Sequence, residues 1–374
     1  MAPPEPERWE PASYFSPDYT AARARFRDAA HAAGARVEAL PIEARGPAGE
    51  SLTIDIACLG APGARRVLLH TSGIHGVEAF AGSAVQLAAL ARRPVVPGGC
   101  ALMLVHVLNP YGMAWLRRFN ESNVDLNRNF LGPGERWEGA SPLYRHLDPL
   151  LNPPTPPAAD GFYLRLALFA LRYGMHGPRQ AIAEGQYEFP RGLFYGGAKL
   201  EAGPRLFLDW LSANVAGAAH LFAIDLHTGL GGRDADTVIR EPGIASRPAA
   251  ELSQALHREV VDAEAGEAAY RIRGGMAGAV ARVVAGAHVD FVVQEMGTFS
   301  SLAVLHALRE ENRCHHYAPA DMRHPARLAL LETFCPPSHG WRARAVERGV
   351  ALLHAAAAWT FRDEPKSPHE MRAM

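Results

Sequence analysis

Apolar and polar positions follow two different periods along this chain. Residues 19–33, YTAARARFRDAAHAA, carry the spacing of an amphipathic helix, and residues 52–58, LTIDIAC, alternate as a strand does. Residues 66–70, 100–108 (CALMLVHVL), 221–226 (LFAIDL) and 288–294 (HVDFVVQ) are apolar runs that predict strands buried on both faces. Helical patterns are expected at 81–90, 163–173, 205–218, 301–312, 326–334 and 341–361. The first 17 residues read as loop. Proline and glycine crowd residues 132–157, predicting a long surface connection. Buried strands alternating with helices predict an α/β sheet covered on both faces, with the chemistry beyond the carboxyl ends of the strands.

Composition narrows the function classes. The chain has 374 residues, a formal net charge of -1 and 48% hydrophobic residues, as expected of a globular protein with a sizeable core. A near-neutral balance excludes nucleic-acid binding by charge alone. Cys58, Cys100, Cys314 and Cys335 are far apart, so neither a disulfide framework nor a cysteine zinc site is expected. No apolar run reaches the roughly 18 residues of a membrane helix, and the N-terminus has no apolar signal core. A soluble cytoplasmic protein is the expectation.

Four expected strand ends carry reactive side chains. The first runs into His75-Gly-Val-Glu78, the second into a segment from Arg117 to Asn129 dense in Arg and Asn, the third into His227-Thr-Gly, and the fourth into Glu295-Met-Gly. In a glycine-flanked turn between strand and helix, His75 and Glu78 can converge on one point, and His227 leaves another strand end. Two imidazoles and one carboxylate are the ligand set of a catalytic zinc site with an open position. Asp225, two residues before His227 on the same strand face, is placed to orient that imidazole. Glu295 follows apolar neighbours and suits a general base. An Arg beside an Asn can grip a carboxylate, and another Arg can stabilise an oxyanion. The paired His315 and His316 read as part of a surface loop. Residues 274–286, rich in Gly and Ala, read as pocket lining or as a tightly packed helix.

The combination of His75-x-x-Glu78, Asn127-Arg128 within VDLNRNF, His227 within DLHTG and Glu295 before Met-Gly resembles the zinc carboxypeptidases of the M14 type. HTSGIHGVEAFAGSAVQ, NPYGMAWLRRFNESNVDLNRNF and GQYEFPRGLFYGG bring it nearer to a bacterial branch, the DUF2817 proteins. Aspartoacylase and succinylglutamate desuccinylase share the zinc core. The resemblance runs from about residue 14 to residue 361. It implies a single domain over 1–374, with an insertion around 132–194, and a three-layer α/β/α fold around a mixed, mostly parallel sheet. It also implies one Zn²⁺ ion on His75, Glu78 and His227, and Glu295 as general base. Asn127 and Arg128 would hold a substrate carboxylate. Arg118, or its neighbour Arg117, would stabilise the oxyanion, and Tyr195 would contact substrate. The family's mobile tyrosine has no counterpart between Arg271 and Glu295; Tyr270 is the nearest upstream.

The implied activity is hydrolysis of an amide bond next to a carboxylate, in a small peptide or an N-acyl amino acid. A carboxypeptidase and an aspartoacylase-like deacylase are the two enzymatic versions. A metal-free small-ligand binding module is the alternative from another class.

Overall fold

The computed structural model describes residues 9–233, 235–241, 244, 246–263 and 271–362. Among the described residues eight strands form one sheet: β1 (Arg36–Arg45), β2 (Ser51–Gly60), β3 (Arg66–Ser72), β4 (Cys100–His106), β5 (His220–Thr228), β6 (Asp236–Arg240), β7 (Val260–Asp262) and β8 (His288–Met296). Twelve α-helices surround it among the described residues. They are α1 (Tyr19–Ala32), α2 (Ala79–Ala91), α3 (Pro110–Ala114), α4 (Pro142–Leu151), α5 (Phe162–Tyr173), α6 (His176–Ala183), α7 (Ala202–Val215), α8 (Ala249–Leu256), α9 (Met276–Val283), α10 (Ser301–Tyr317), α11 (Pro325–Phe334) and α12 (His339–Thr360).

The strand order is β1-β2-β4-β3-β5-β8-β6-β7. Strands β4, β3, β5 and β8 run parallel at the centre; β1 pairs antiparallel with β2, β2 with β4 and β6 with β8, while β7 runs parallel to β6. Side chains alternate between the two faces of a strand, and two cores result. On one face Leu69, Ala223 and Phe291 pack under α7 and α9 through Phe207, Leu211 and Val280. On the other, Leu68, Phe222 and Val292 meet α1, α2, α8 and α12 through Phe26, Leu87, Leu252 and Leu353. This is the expected α/β architecture in three layers.

Several elements differ from expectation. Residues 132–157 contain α4, which starts at a Ser141 cap and buries Tyr144, Leu147 and Leu151. Helix α10 continues to Tyr317, so His315 and His316 lie in its last turn and not in a loop. Residues 274–286 supply both of the things the sequence suggests, a helix in α9 and glycines that line a cavity. Strands β1, β6 and β7 are additional.

Two histidines of the second core give the fold an acid-sensitive interior. His70 and His106 are fully buried. His70 faces Gln86, and His106 stacks on Phe26 with ring centroids 4.4 Å apart. Burial pushes the imidazole of His70 down to about 4 and that of His106 to about 3. Their unfolded values lie near 6.5, so below that pH the unfolded chain binds the extra protons. Stability is therefore expected to fall as pH drops from 6.5 towards 4, by on the order of 3 kcal/mol for each histidine. Denaturant midpoints measured across that range check this; a level profile contradicts it.

Candidate metal centre

Strand β3 hands the chain to a tight turn that presents the first two ligand candidates. His75 is extended, with φ -106 and ψ 124, and Gly76–Glu78 form one 3₁₀ turn before α2. Only glycine fits at position 76: a Cβ there would lie 2.0 Å from the backbone of Gly112 in α3. The turn is fixed by Gly76 N–H donating to the Arg118 carbonyl at 3.1 Å and Val77 N–H to that of Arg117 at 2.9 Å. The carboxyl end of β5, two strands from β4 and adjacent to β3, delivers His227 to the same place.

Nδ1 of His75 lies 2.9 Å from one oxygen of Glu78, and Nδ1 of His227 lies 3.2 Å from the other. The three potential ligand atoms lie within 4.8 Å of one another, and all three residues are buried. Each imidazole is held from behind by an aspartate. Nε2 of His227 is 2.7 Å from Asp225, whose other oxygen accepts from the Thr71 hydroxyl at 2.6 Å. Nε2 of His75 is 3.0 Å from Asp125 and 2.7 Å from an Arg118 nitrogen. On His227, a proton on Nε2 serves Asp225 and leaves the Nδ1 lone pair directed at Glu78. Asp225 is the residue that the sequence analysis places beside His227. Asp125 is the matching residue that sequence reasoning missed, although it stands in the same VDLNRNF segment.

The electrostatics follow from this packing. Burial alone would raise the carboxyl of Glu78, but His75 and His227 hold it far below the usual range. Burial opposes charge on His227, yet Asp225 and Glu78 hold its imidazole well above the ordinary value. Arg118 adds a cation: it donates to Glu78 at 2.9 Å and to Asp125 at 3.0 Å.

Glu295 lies opposite His227 in the register of β5 and β8. One of its oxygens is buried with no hydrogen-bond partner among the described residues. Burial pushes its carboxyl up to about 7, the negative Glu78 adds to the rise and His227 opposes it. Glu295 and His227 open onto a cavity of about 310 Å³, together with Asn127 and the glycines at 274, 275 and 278. Asn127 is thus beside the reactive groups. Arg128, adjacent to it, is buried and directs Nε to the Ala183 carbonyl and Nη1 to that of Asn127.

Two of the candidates do not join this cluster. Arg117 is fully buried and turned towards α10, where its Nε donates to Glu311 at 2.8 Å and Nη2 to Asn123 at 2.9 Å. Tyr195 packs into the core below α7 and does not line the cavity. Tyr270 lies outside the described residues. Glu241 and Arg271 line the cavity and had no sequence signal, since one follows a five-residue strand and the other no recognisable element. A second group, His220, His288 and Asp290, lies at the opposite end of β5 and β8, with Arg247 already paired to Asp290.

The molecule is therefore an α/β protein with a buried two-histidine, one-carboxylate cluster at the carboxyl edge of its parallel strands. The chain belongs to the DUF2817 family, described as a protein of unknown function, whose model matches residues 15–348. No curated protein matches it in sequence. Among solved structures, it is similar to carboxypeptidase A from Helicoverpa armigera, with 12% identity, 91% of this chain and 74% of that chain covered, and a TM-score of 0.46. It is also similar to bovine thrombin-activatable fibrinolysis inhibitor in complex with tick carboxypeptidase inhibitor, with 12% identity, coverage of 92% and 99%, and a TM-score of 0.47. A candidate succinylglutamate desuccinylase/aspartoacylase from Shewanella frigidimarina shares 15% identity, with coverage of 70% and 64% and a TM-score of 0.36. No described helix is long and apolar enough to cross a membrane.

Proposed function

We propose that this protein is a zinc-dependent hydrolase of an amide bond next to a carboxylate. The observation that carries the reading is the pair of Nδ1 atoms facing the two oxygens of Glu78, each imidazole backed by its own aspartate. The residues fit the metal. Nδ1 of His75 is buried and, among the described residues, faces the Glu78 carboxylate at 2.9 Å without a hydrogen bond of regular geometry. Two imidazoles and a carboxylate, with carboxylates behind the imidazoles, are the donor set that zinc takes in sites with an open position.

Zinc held there supplies a Lewis acid and makes water nucleophilic at neutral pH. The chain's own groups do the rest. Glu295 accepts the proton of the attacking water on its carboxylate and returns it to the departing nitrogen. Burial raises its carboxyl above the ordinary carboxylate value, and a cation held beside it would draw it back down. Arg118, beside Glu78, offers guanidinium donors to the oxygen that becomes negative. Asn127, in the cavity wall, and Arg128 behind it hold the substrate carboxylate.

The test is turnover of a panel of N-acyl amino acids and blocked peptides by the zinc-loaded protein. Release of the carboxylate-bearing residue is expected, reversibly lost on chelation. Cleavage of peptides marks the carboxypeptidase version, and cleavage of short acyl amides alone marks the deacylase. Binding without turnover across the panel contradicts the enzymatic reading.

A further inference from the structure

Helix α5 turns an apolar face to solvent. Its sequence, FYLRLALFALRY, has Arg165 and Arg172 as its only charged residues. A helix apolar on nearly every side is ordinarily buried. Gly161 and Gly174 flank it with positive φ, 69 and 75, and set its ends. Steps of three and four residues put side chains on one helix face, and α5 has two such faces. Phe162, Leu166 and Phe169 are turned to the protein and share an apolar cluster with Leu147 of α4 and Leu308 of α10. Leu164, Leu168 and Leu171 take the opposite face and are 67%, 57% and 84% exposed. Met175, just beyond the helix, is exposed as well.

Charge on this stretch has one sign. Residues 161–183 contain Arg165, Arg172 and Arg179 and neither Asp nor Glu. All three arginines are exposed. Arg165 and Arg172 stand about two helical turns apart, so they share one flank of the leucine stripe. Arg172 lies over the ring of Tyr173, 5.4 Å from its centroid. Arg165 acts on the Asp160 carboxylate, which Arg309 and Arg313 already hold.

The leucines and the arginines together choose the occupant. A second copy docked through the same stripe sets arginine flank against arginine flank when antiparallel. When parallel, it sets the arginines against Ala167 and Gly174, and neither arrangement supplies a carboxylate. A bilayer of anionic lipid takes the leucines into its acyl boundary and sets its headgroups against the arginines. Tyr163 and Tyr173, at the two ends of the helix, have the amphipathic rings that sit at headgroup level.

We propose that α5 is an interfacial helix that docks the protein on an anionic lipid bilayer, lying along its surface. Helix α6 follows directly, and its Gln180 bonds the backbone of Arg271 in the cavity wall at 3.1 and 3.2 Å. One helix therefore links the docked face to the cavity of the candidate metal centre. The docking uses no residue of the metal cluster and stands apart from the hydrolase reading.

The experiment is flotation of the full chain with vesicles of phosphatidylcholine containing about one third phosphatidylglycerol, and with vesicles of phosphatidylcholine alone. Binding to the anionic vesicles is expected to be stronger by about tenfold or more. Leu168→Glu with Leu171→Glu changes two exposed side chains, and is expected to fold normally and weaken binding by roughly 30-fold or more. Arg165→Gln with Arg172→Gln is expected to weaken binding to the anionic vesicles about tenfold and leave the phosphatidylcholine arm unchanged. Leu168→Trp is expected to shift its fluorescence to the blue on the anionic vesicles. Absence of vesicle binding, equal partition onto both vesicle types, or no loss in the paired leucine variant overturns the proposal. Light scattering without vesicles covers the other occupant: a dimer that Leu168→Glu with Leu171→Glu dissociates, with no vesicle binding, assigns the stripe to a second copy instead.

Discussion

Glu295→Gln is expected to keep its zinc and lose kcat by about 10³-fold. The glutamine has the same shape but cannot take a proton at the position where the carboxylate faces His227 across the β5–β8 register. Metal binding survives because His75, Glu78 and His227 are untouched. One oxygen of Glu295 makes no hydrogen bond with a described residue, so the swap breaks no network among them and stability is expected to change little. Parallel measurement of zinc content and single-turnover rate checks both halves. A variant that turns over at the wild-type rate removes Glu295 from the reaction, and one that loses its metal assigns it a different role.

The second large effect separates two adjacent arginines. Arg117→Ala is expected to cost about 3–5 kcal/mol of stability, because it strands the buried carboxylate of Glu311. Arg327, the other cation near Glu311, is 3.5 Å away and donates the same nitrogen to the Trp115 carbonyl. Arg118→Ala is expected to lower kcat by about 10²-fold or more, since its guanidinium lies against Glu78 where charge develops. Thermal melts and kinetics on both variants check the pair. An Arg117 variant that folds normally with kcat depressed 10²-fold reverses the assignment.

Sequence reasoning reached the centre of the sheet because strands covered on both faces are written as unbroken apolar runs, as at 100–108 and 221–226. It missed β1, whose positions are exposed or half-buried and which contains Pro41, and the five- and three-residue strands β6 and β7. Helix α4 was hidden among prolines, although Pro142 sits at its first turn, where a missing N–H costs nothing. The reactive residues were legible where a buried strand stops at a polar side chain. Direction was not legible. Arg117 and Arg118 are neighbours in sequence, yet one enters the α10 contact and the other the ligand cluster. Asp125 acquires its role only when the 3₁₀ turn of Leu126–Arg128 sets it behind His75. Glu241 reaches the cavity wall only through the pairing of a strand too short to announce itself.

The most direct measurement is anomalous diffraction at the zinc absorption edge from crystals of the protein purified without chelator. One full-occupancy peak is expected, bounded by Nδ1 of His75, Nδ1 of His227 and the carboxylate of Glu78, with Glu295 facing its open side. Zinc-soaked crystals with no peak between these three side chains would contradict the account.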